Sequence, residues 1–274
     1  MSLISRVGLP RIAKCNFAIS APTSPTIELI ARLRKQTHAP LAKCREILIQ
    51  SNWDFSKAVA GVEEYMQAAG MKRALSNDLA LKASMIFAKV TDQKISILEL
   101  ASESDFAANN KHFQQLGIEI TGEPDESTIS SLISTNSAKL GEKISILESF
   151  TYEFASTPMN LAIYAHNPPS PLPVEAFKGT RILVGSKICI IGFEGEVSAF
   201  RSNPKLSTQL AQHAMAMNPT RLNDSESKED SEAVFARQKF LFDENVSIQQ
   251  LLGEQKAKFV LLKEKFASIR VIRE

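Results

Sequence analysis

The sequence predicts an α+β protein in which a small helical module precedes a larger region of sheets and covering helices. Apolar residues recur at helical spacing over residues 26–71. From about Ile86 the pattern changes to short runs rich in β-branched residues, which are typical of strands. Helical segments recur among these runs, so helices and strands share the second part of the chain.

Three short helices are predicted within residues 26–71. The first begins at the Ser-Pro pair before residue 26 and ends near Thr37. Pro40 opens the second helix, and Asp54 caps a third that is expected to stop at Gly70. A bundle of this size barely sustains a core of its own, so the module is expected to serve in docking.

The first strands are predicted at Met85–Phe87 and Ile95–Leu98, where apolar runs flank an Asp92-Gln93 turn. A single helix is expected from about Phe106 to Ile120. The Ser/Thr-rich residues 121–139 then contain one weak helix.

A second sheet is predicted further along the chain. Ile144 begins a new strand region, and the apolar runs 161–164 and 182–193 are expected to continue that sheet. The four prolines of loop 166–173 exclude a helix or a central strand there. The remaining predicted elements are a helix over 204–217, an acidic stretch over 223–232, a short helix over 248–252 and a final strand over 269–272.

The first 25 residues have the composition of a mitochondrial transit peptide. No acidic residue precedes Glu28, and Arg6, Arg11 and Lys14 lie among Ser, Ala and apolar residues. These basic residues and a proline interrupt the apolar run that a secretory signal needs. We therefore predict a leader over residues 1–25 and a location in the mitochondrial matrix. A disordered tail is the alternative, and a plastid leader has similar composition.

Composition favours a protein partner. The 32 Lys and Arg residues nearly balance the 30 Asp and Glu residues, so the long-range field that attracts nucleic acids or anionic membranes is weak. No run approaches the roughly 18 apolar residues that span a bilayer. Direct binding to nucleic acid or membrane is not expected.

Residues that could carry catalysis are scattered. The four histidines form no His-Glu-x-x-His pair, and the three cysteines lack the spacing of a disulfide or zinc site. The stretch Gly179–Lys187 has five residues between its glycines and lacks the Gly-Lys-Ser/Thr ending of a phosphate loop. Cys189 lies in an apolar strand, where a buried thiol is inert. We predict no metal, no cofactor, no nucleotide site and no covalent catalysis; a hydrolase that uses Cys189 or a histidine is the enzymatic alternative.

Several segments match one family in order and spacing. The helical module contains Leu33-Arg-Lys-Gln-Thr37, Cys44-Arg-Glu-Ile-Leu48 and Asn52-Trp-Asp54, and the run Leu98–Asn110 follows the first predicted strands. This constellation resembles the elongation factor Ts family, which has a ubiquitin-associated-like (UBA-like) N-terminal module. The resemblance covers most of residues 26–272, and its other segments are Lys139–Ile144, Gln212–Pro219 and Gln238–Phe240.

The sequence also departs from that family's pattern. Ser102, Ser104, Ala107 and Asn109 replace the family's cysteine, threonine, valine and arginine, and His38 and Pro40 replace a glycine turn. Bacterial members insert a long helical hairpin before the segment that matches Gln238, and fewer than 20 residues remain there in this chain.

The resemblance implies a core of two subdomains with antiparallel sheets and covering helices, over residues 72–140 and 141–274. It implies a guanine-nucleotide exchange factor that binds mitochondrial elongation factor Tu and promotes GDP release. An interaction module that does not promote exchange, and that holds ubiquitin-like or nascent-chain partners, is the alternative.

The resemblance also implies the residues that bind the partner. Asp105 and Phe106 project into the nucleotide domain of the GTPase, with Ser104 and Glu103 beside them. The local alternative is structural, since Ser102 and Asp105 fit a capping box and Phe106 shares a helical spacing with Phe113 and Leu116.

Three further partner contacts are implied at His213, Arg34 and Thr37. His213 has a helical spacing with Leu210 and Met217, so a buried core histidine is its alternative. A solvated basic face is the ordinary explanation of Arg34.

Overall fold

The structure is a computed structural model that describes residues 27–76, 80–122, 125–154, 159–169, 180–195, 197–203, 205–222 and 233–273. The predicted leader, part of the proline-rich loop and the acidic stretch 223–232 lie outside the described residues. The chain divides into two compact units, one ending at Val62 and the other beginning at Glu63. None of the helices in the described ranges is long and apolar enough to cross a membrane.

The first unit is helical, as predicted. Its helices are α1 (Ile27–Thr37), α2 (Leu41–Gln50) and the start of α3 (Phe55–Ala74). Their shared core consists of the fully buried residues Leu33, Cys44, Leu48, Ala58 and Val62.

Asp54 begins α3 by accepting a hydrogen bond from the Lys57 amide at 3.1 Å, the N-cap contact that satisfies a free helical donor.

The second unit contains the sheets and the remaining helices. Its strands are β1 (Ala83–Val90), β2 (Lys94–Ser102), β3 (Ile144–Glu153), β4 (Met159–His166), β5 (Arg181–Gly185), β6 (Lys187–Glu194), β7 (Lys239–Phe240), β8 (Asp243–Ser247), β9 (Ala257–Glu264) and β10 (Arg270–Arg273). Its helices are α4 (Asp105–Ala108), α5 (Lys111–Thr121), α6 (Glu126–Leu140), α7 (Ser198–Ser202), α8 (Leu206–Met217) and α9 (Ile248–Leu252), with a 3-10 turn at Phe235–Arg237.

The strands form two four-stranded sheets and a short hairpin. The first sheet has the order β3-β2-β1-β5, the second has the order β10-β9-β6-β4, and β7 pairs with β8. Every neighbouring pair in the two sheets is antiparallel. The α+β class is therefore correct.

The two sheets pack face to face, and helices cover both outer faces. Alternate residues of each strand point in opposite directions, so Ile86 and Ile97 meet Ile190 and Leu261 between the sheets. Phe87, on the other face of the first sheet, packs under α5. The outer face of the second sheet packs under α8 and α9. The central strands β1, β2, β6 and β9 are buried on both faces, which explains their nearly continuous apolar runs.

The sheet membership of two strands was predicted wrongly. The sequence placed β3 and β5 in the second sheet, whereas β3 pairs with β2 and β5 pairs with β1. The chain changes sheets inside the apolar run 182–193, at Ser186, whose amide bonds to the His166 carbonyl at 2.8 Å. Strands on both sides of this step are apolar, so composition contains no signal for the change.

The helix predicted from Phe106 to Ile120 is two helices. Helix α4 ends at Ala108, and Asn110 caps α5 by accepting from the His112 amide at 2.9 Å. Asn residues compete for backbone hydrogen bonds and favour such caps. The predicted common face is wrong, because Phe106 is exposed whereas Phe113 is buried.

Gly70 has a different role from the predicted helix stop. Helix α3 continues to Ala74, and a Cβ atom at Gly70 would lie 1.8 Å from the Ser134 carbonyl oxygen of α6. Glycine therefore permits the close approach of two helices within the second unit. The α6 helix in the Ser/Thr-rich stretch is bounded by Asp125, which caps it, and Gly141, which ends it in the left-handed conformation.

An ion cluster lies between the two sheets. Lys263 of β9 contacts Glu99 of β2 at 2.5 Å and Glu148 of β3 at 2.7 Å. The side chains of Glu99 and Lys263 are each 1% exposed. Glu99 also accepts from the Ser84 hydroxyl at 2.6 Å and from the Phe266 amide at 2.7 Å. The cluster joins the sheets with charged hydrogen bonds at the edge of an apolar interface.

Candidate partner-binding surface

The segment Leu98–Asn110, which carries part of the predicted resemblance, connects the first sheet to its covering helices. Strand β2 ends at Ser102, and α4 begins at Asp105. The N-cap of α4 is Ser104, whose hydroxyl oxygen accepts from the Ala107 amide at 3.4 Å. The predicted capping role of Ser102 is wrong, since its buried hydroxyl donates to the Ser104 carbonyl at 3.0 Å.

Phe106 is the outstanding feature of this segment. Its side chain is 91% exposed, whereas the next residues, Ala107 and Ala108, are buried against the first sheet. Asp105, immediately before it, is exposed as well. A single exposed apolar residue is ordinary on a protein surface, but here the backbone on both sides of the ring is anchored. The anchoring makes Phe106 a fixed projection.

Ser104 and Glu103 supply part of that anchoring. The Ser104 amide donates to Glu142 at 2.9 Å, and its hydroxyl donates to the same carboxylate. Glu103 accepts from the Lys143 amide and from Arg73 Nε, the latter at 3.3 Å. Both side chains therefore point into the protein's own hydrogen-bond network.

His213 is fully buried in α8, between the rings of Phe235 and Phe240 at 6.0 and 5.9 Å. Its Nδ1 accepts from the Leu241 amide at 3.2 Å, and its Nε2 lies 3.0 Å from the Gln238 side-chain oxygen. Because Nδ1 is an acceptor, the proton must be on Nε2, which donates to Gln238. Burial lowers the pKa of His213 and favours this neutral form.

The Leu241 amide belongs to the turn between β7 and β8, which forms a second exposed apolar feature. Leu241 and Phe242 are each 48% exposed. They line a groove together with Tyr164, Met215 and other residues of β4 and α8. The sequence pattern did not predict this turn, although the matched segment Gln238–Phe240 ends next to it.

Arg34 and Thr37 lie at the end of α1 in the helical unit. Arg34 is exposed, and Thr37 is buried. The Thr37 hydroxyl donates to the Leu33 carbonyl at 2.8 Å and accepts from the Ala39 amide at 3.4 Å. Thr37 thus stabilises the end of the helix. Of these two residues, only Arg34 has a side chain exposed on the surface.

Curated proteins match the chain over most of its length. An elongation factor Ts of Mycoplasmopsis pulmonis is 26% identical over 250 residues, which are 87% of this chain and 81% of that protein. The mitochondrial elongation factor Ts of Heterostelium pallidum is 26% identical over 266 residues, 88% of this chain and 69% of that protein. This chain is similar to elongation factor Ts over most of its length. No family model matches it.

The predicted resemblance to elongation factor Ts is thereby confirmed. A mitochondrial elongation factor Ts of Arabidopsis thaliana is 24% identical over 74% of this chain, and the chain spans 58% of that protein's length. The similarity to elongation factor Ts extends well beyond the helical unit, since 250 matched residues exceed that unit several times over. It therefore favours a translation elongation factor over a UBA-like module that only holds partners.

Two features of the described residues bear on metal binding and on nucleophilic catalysis. No group of three or more His, Cys, Asp or Glu side chains in the described part of the chain is placed to hold a metal ion. Cys189 is fully buried in β6, as predicted, and burial raises the pKa of its thiol. A neutral, inaccessible thiol is a poor nucleophile.

The His213 contacts predict a pH dependence of stability. The pKa of His213 is lower in the folded state than the unfolded value of about 6.5. The buried neutral imidazole therefore makes its full contribution to the free energy of unfolding above about pH 6.5. The contribution falls as pH drops from about 6.5 towards the folded pKa, by at most about 1.4 kcal/mol per pH unit. His213→Asn, which keeps an acceptor near Leu241 but does not titrate, should lower stability at pH 7 and reduce the loss between pH 7 and 5. Urea unfolding at the two pH values measures both effects. If the wild type and His213→Asn lose the same stability between pH 7 and 5, His213 is not the group responsible for the pH dependence.

Proposed function

We propose that this protein is a guanine-nucleotide exchange factor that binds elongation factor Tu and promotes release of its GDP. The observation that supports this most directly is Phe106, a 91% exposed ring on an anchored helix start. It lies within the segment Leu98–Asn110 that resembles elongation factor Ts. The names of the curated relatives support a role in translation elongation.

The exchange follows from linkage between two binding equilibria. A factor that binds the nucleotide-free GTPase more tightly than the loaded form must weaken nucleotide binding by the same ratio. No covalent bond is made or broken, so no nucleophile, metal or cofactor of this chain is required. The exchange factor shifts the population of elongation factor Tu towards its nucleotide-free form and does not select a nucleotide. GTP can therefore bind the vacated site.

Phe106 is suited to act as a wedge in this scheme. A ring inserted between packed elements of the partner moves them between discrete arrangements, since close-packed interiors do not deform smoothly. Asp105 brings a negative charge to the same place, where it would oppose a bound phosphate by like-charge repulsion. We assign these two residues to the nucleotide domain of elongation factor Tu.

Other surfaces contribute contacts that hold the complex together. The Leu241-Phe242 turn is apolar and exposed, which suits a second docking point, and His213 would act there by fixing the Leu241 amide instead of touching the partner. Arg34 of the UBA-like helical module supplies an exposed cation at a third point. These contacts raise affinity for the partner, whereas Phe106 changes the partner's conformation.

The protein is proposed to work in the mitochondrial matrix. Two of the relatives described above are mitochondrial elongation factors Ts, and residues 1–25 have the basic, acid-free composition of a transit peptide. The proposed partner is accordingly the mitochondrial elongation factor Tu.

The test is release of labelled nucleotide from purified mitochondrial elongation factor Tu, with and without residues 26–274 of this protein. Release of GDP and release of GTP should both accelerate with the concentration of the chain, because linkage acts on the shared site. An unrelated small GTPase serves as the specificity control. Binding to elongation factor Tu without any acceleration would overturn the proposal and leave an interaction module that does not promote exchange.

A further inference from the structure

Two glutamates cross between the loops that follow β2 and precede β3. The last paired residues of these strands are Ser102 and Ile144. Beyond that pair, the Glu103 carboxylate accepts from the Lys143 amide, and the Glu142 carboxylate accepts from the Ser104 amide at 2.9 Å. Side chains thus continue the ladder where the backbones separate. We call this arrangement the glutamate cross.

The Glu142 side of the cross determines how Ser104 caps α4. Its second carboxylate oxygen accepts from the Ser104 hydroxyl, so that hydroxyl's proton points away from the helix. The hydroxyl oxygen is then left to accept from the Ala107 amide at 3.4 Å. Both Ser104 donors are committed to one carboxylate, which fixes the direction in which α4 starts.

Helix α4 depends on such an external tether. It has only 4 residues, and a single helical turn is unstable on its own because nucleation is costly. The Phe106 ring is 91% exposed and contributes almost no packing that could orient the segment. The ring's direction must come from the backbone on either side, which Ser104 and the buried Ala107 hold.

The Glu103 side of the cross anchors the same loops to α3. Arg73 near the end of α3 donates to Glu103 at 3.3 Å. Lys143 reaches the Ser76 carbonyl with its ammonium group at 2.5 Å. The loop that carries Glu142 is therefore held from two directions, and its carboxylate is a fixed reference for Ser104.

We infer that Glu142 is a positioning residue for nucleotide exchange, acting through Ser104 to aim Asp105 and Phe106 at the partner. This inference rests on the proposed function. Glu142 does not touch the GTPase in this scheme, so its effect should vanish when the Phe106 ring is absent.

The variants Glu142→Ala and Glu142→Gln distinguish the effect of the hydrogen bonds to Ser104 from the effect of the negative charge of Glu142. Alanine removes both hydrogen bonds to Ser104, and we expect the second-order rate of GDP release to fall roughly tenfold. Glutamine can accept from the Ser104 amide and donate to the Ser104 hydroxyl oxygen, so it should retain most of the rate. Glu153→Ala, which removes an exposed carboxylate from the far end of β3, the strand that Glu142 precedes, is the matched control and should leave the rate unchanged.

Two readouts distinguish positioning from loss of stability. Hydrogen–deuterium exchange of the free chain should speed up in the peptide covering residues 103–109 of Glu142→Ala, with the thermal midpoint lowered only slightly. In the Phe106→Ala background, Glu142→Ala should cause no further loss of rate, whereas a general folding defect would add to the loss.

The outcomes separate the inference from the proposed function. Acceleration by the wild type with an unchanged rate in Glu142→Ala, or with additive losses in the double variant, would overturn the positioning role alone. No acceleration by the wild type would overturn the proposed function and the positioning role with it. A tenfold loss that glutamine restores and that disappears without Phe106 would support both.

Discussion

Phe106→Ala is expected to slow the release of GDP stimulated by this protein about thirtyfold or more, because truncating a central aromatic anchor typically removes at least about 2 kcal/mol of interaction. The thermal midpoint should stay unchanged, since the ring is 91% exposed and packs against little of its own chain. Stopped-flow release of a fluorescent GDP from elongation factor Tu, at several concentrations of each variant, measures the second-order rate.

A second exposed phenylalanine provides the matched control. Phe266, in the turn between β9 and β10, is 55% exposed and outside the proposed contacts. Phe266→Ala removes the same group from the surface and should leave the release rate within about twofold, as is usual for surface changes away from an interface. Equal rates for Phe106→Ala and the wild type would discard the wedge while leaving exchange itself open to another surface.

The parts of the fold that were predictable are those encoded by local patterns. The three helices of the first unit follow from apolar spacing and from caps such as Asp54. The β1–β2 hairpin follows from two apolar runs around a polar turn, where the Thr91 amide bonds to the Lys94 carbonyl at 2.9 Å. Each of these signals lies within a few residues of the element that it determines.

Features set by distant pairings were missed. Strand β9 pairs with β6, more than 60 positions earlier, and its burial comes from that pairing and from α8. No strand was predicted over residues 257–264. A two-faced burial pattern has no period of two, so an apolar run of this length does not show which sheet it joins or whether it is a strand at all.

The candidate site shows the same division. The family resemblance located Asp105 and Phe106, because a short contiguous motif contains both. Glu142 lies in the matched segment Lys139–Ile144, but the resemblance did not reveal its contact with Ser104, which is 38 positions away and meets it only through the β2–β3 pairing. His213 was likewise placed on a helix by its spacing, but its two hydrogen bonds depend on residues 25 and 28 positions away.

Lys263→Met is expected to lower the free energy of unfolding by about 3–5 kcal/mol, since it leaves Glu99 charged, buried and without its counter-ion. Urea unfolding at pH 7 measures the loss. Lys187→Met on β6 is the matched control: it breaks a salt bridge with Glu264 of nearly the same length, 2.6 Å, whose side chains are 40% and 56% exposed. That variant should cost less than about 1 kcal/mol because water screens the pair.

The double variant Lys263→Met, Glu99→Met tests whether the stability lost in Lys263→Met is due to the unpaired Glu99 carboxylate. Removing both charges eliminates the buried unpaired carboxylate, so most of the lost stability should return, as it does when apolar residues replace buried ion pairs. A remainder is expected because the Phe266 amide and the Ser84 hydroxyl lose the Glu99 acceptor. If the double variant is no more stable than Lys263→Met, the cluster stabilises the fold through its own attraction. If Lys263→Met lowers the free energy of unfolding no more than Lys187→Met does, water reaches the Glu99 carboxylate and the space between the sheets is not dry.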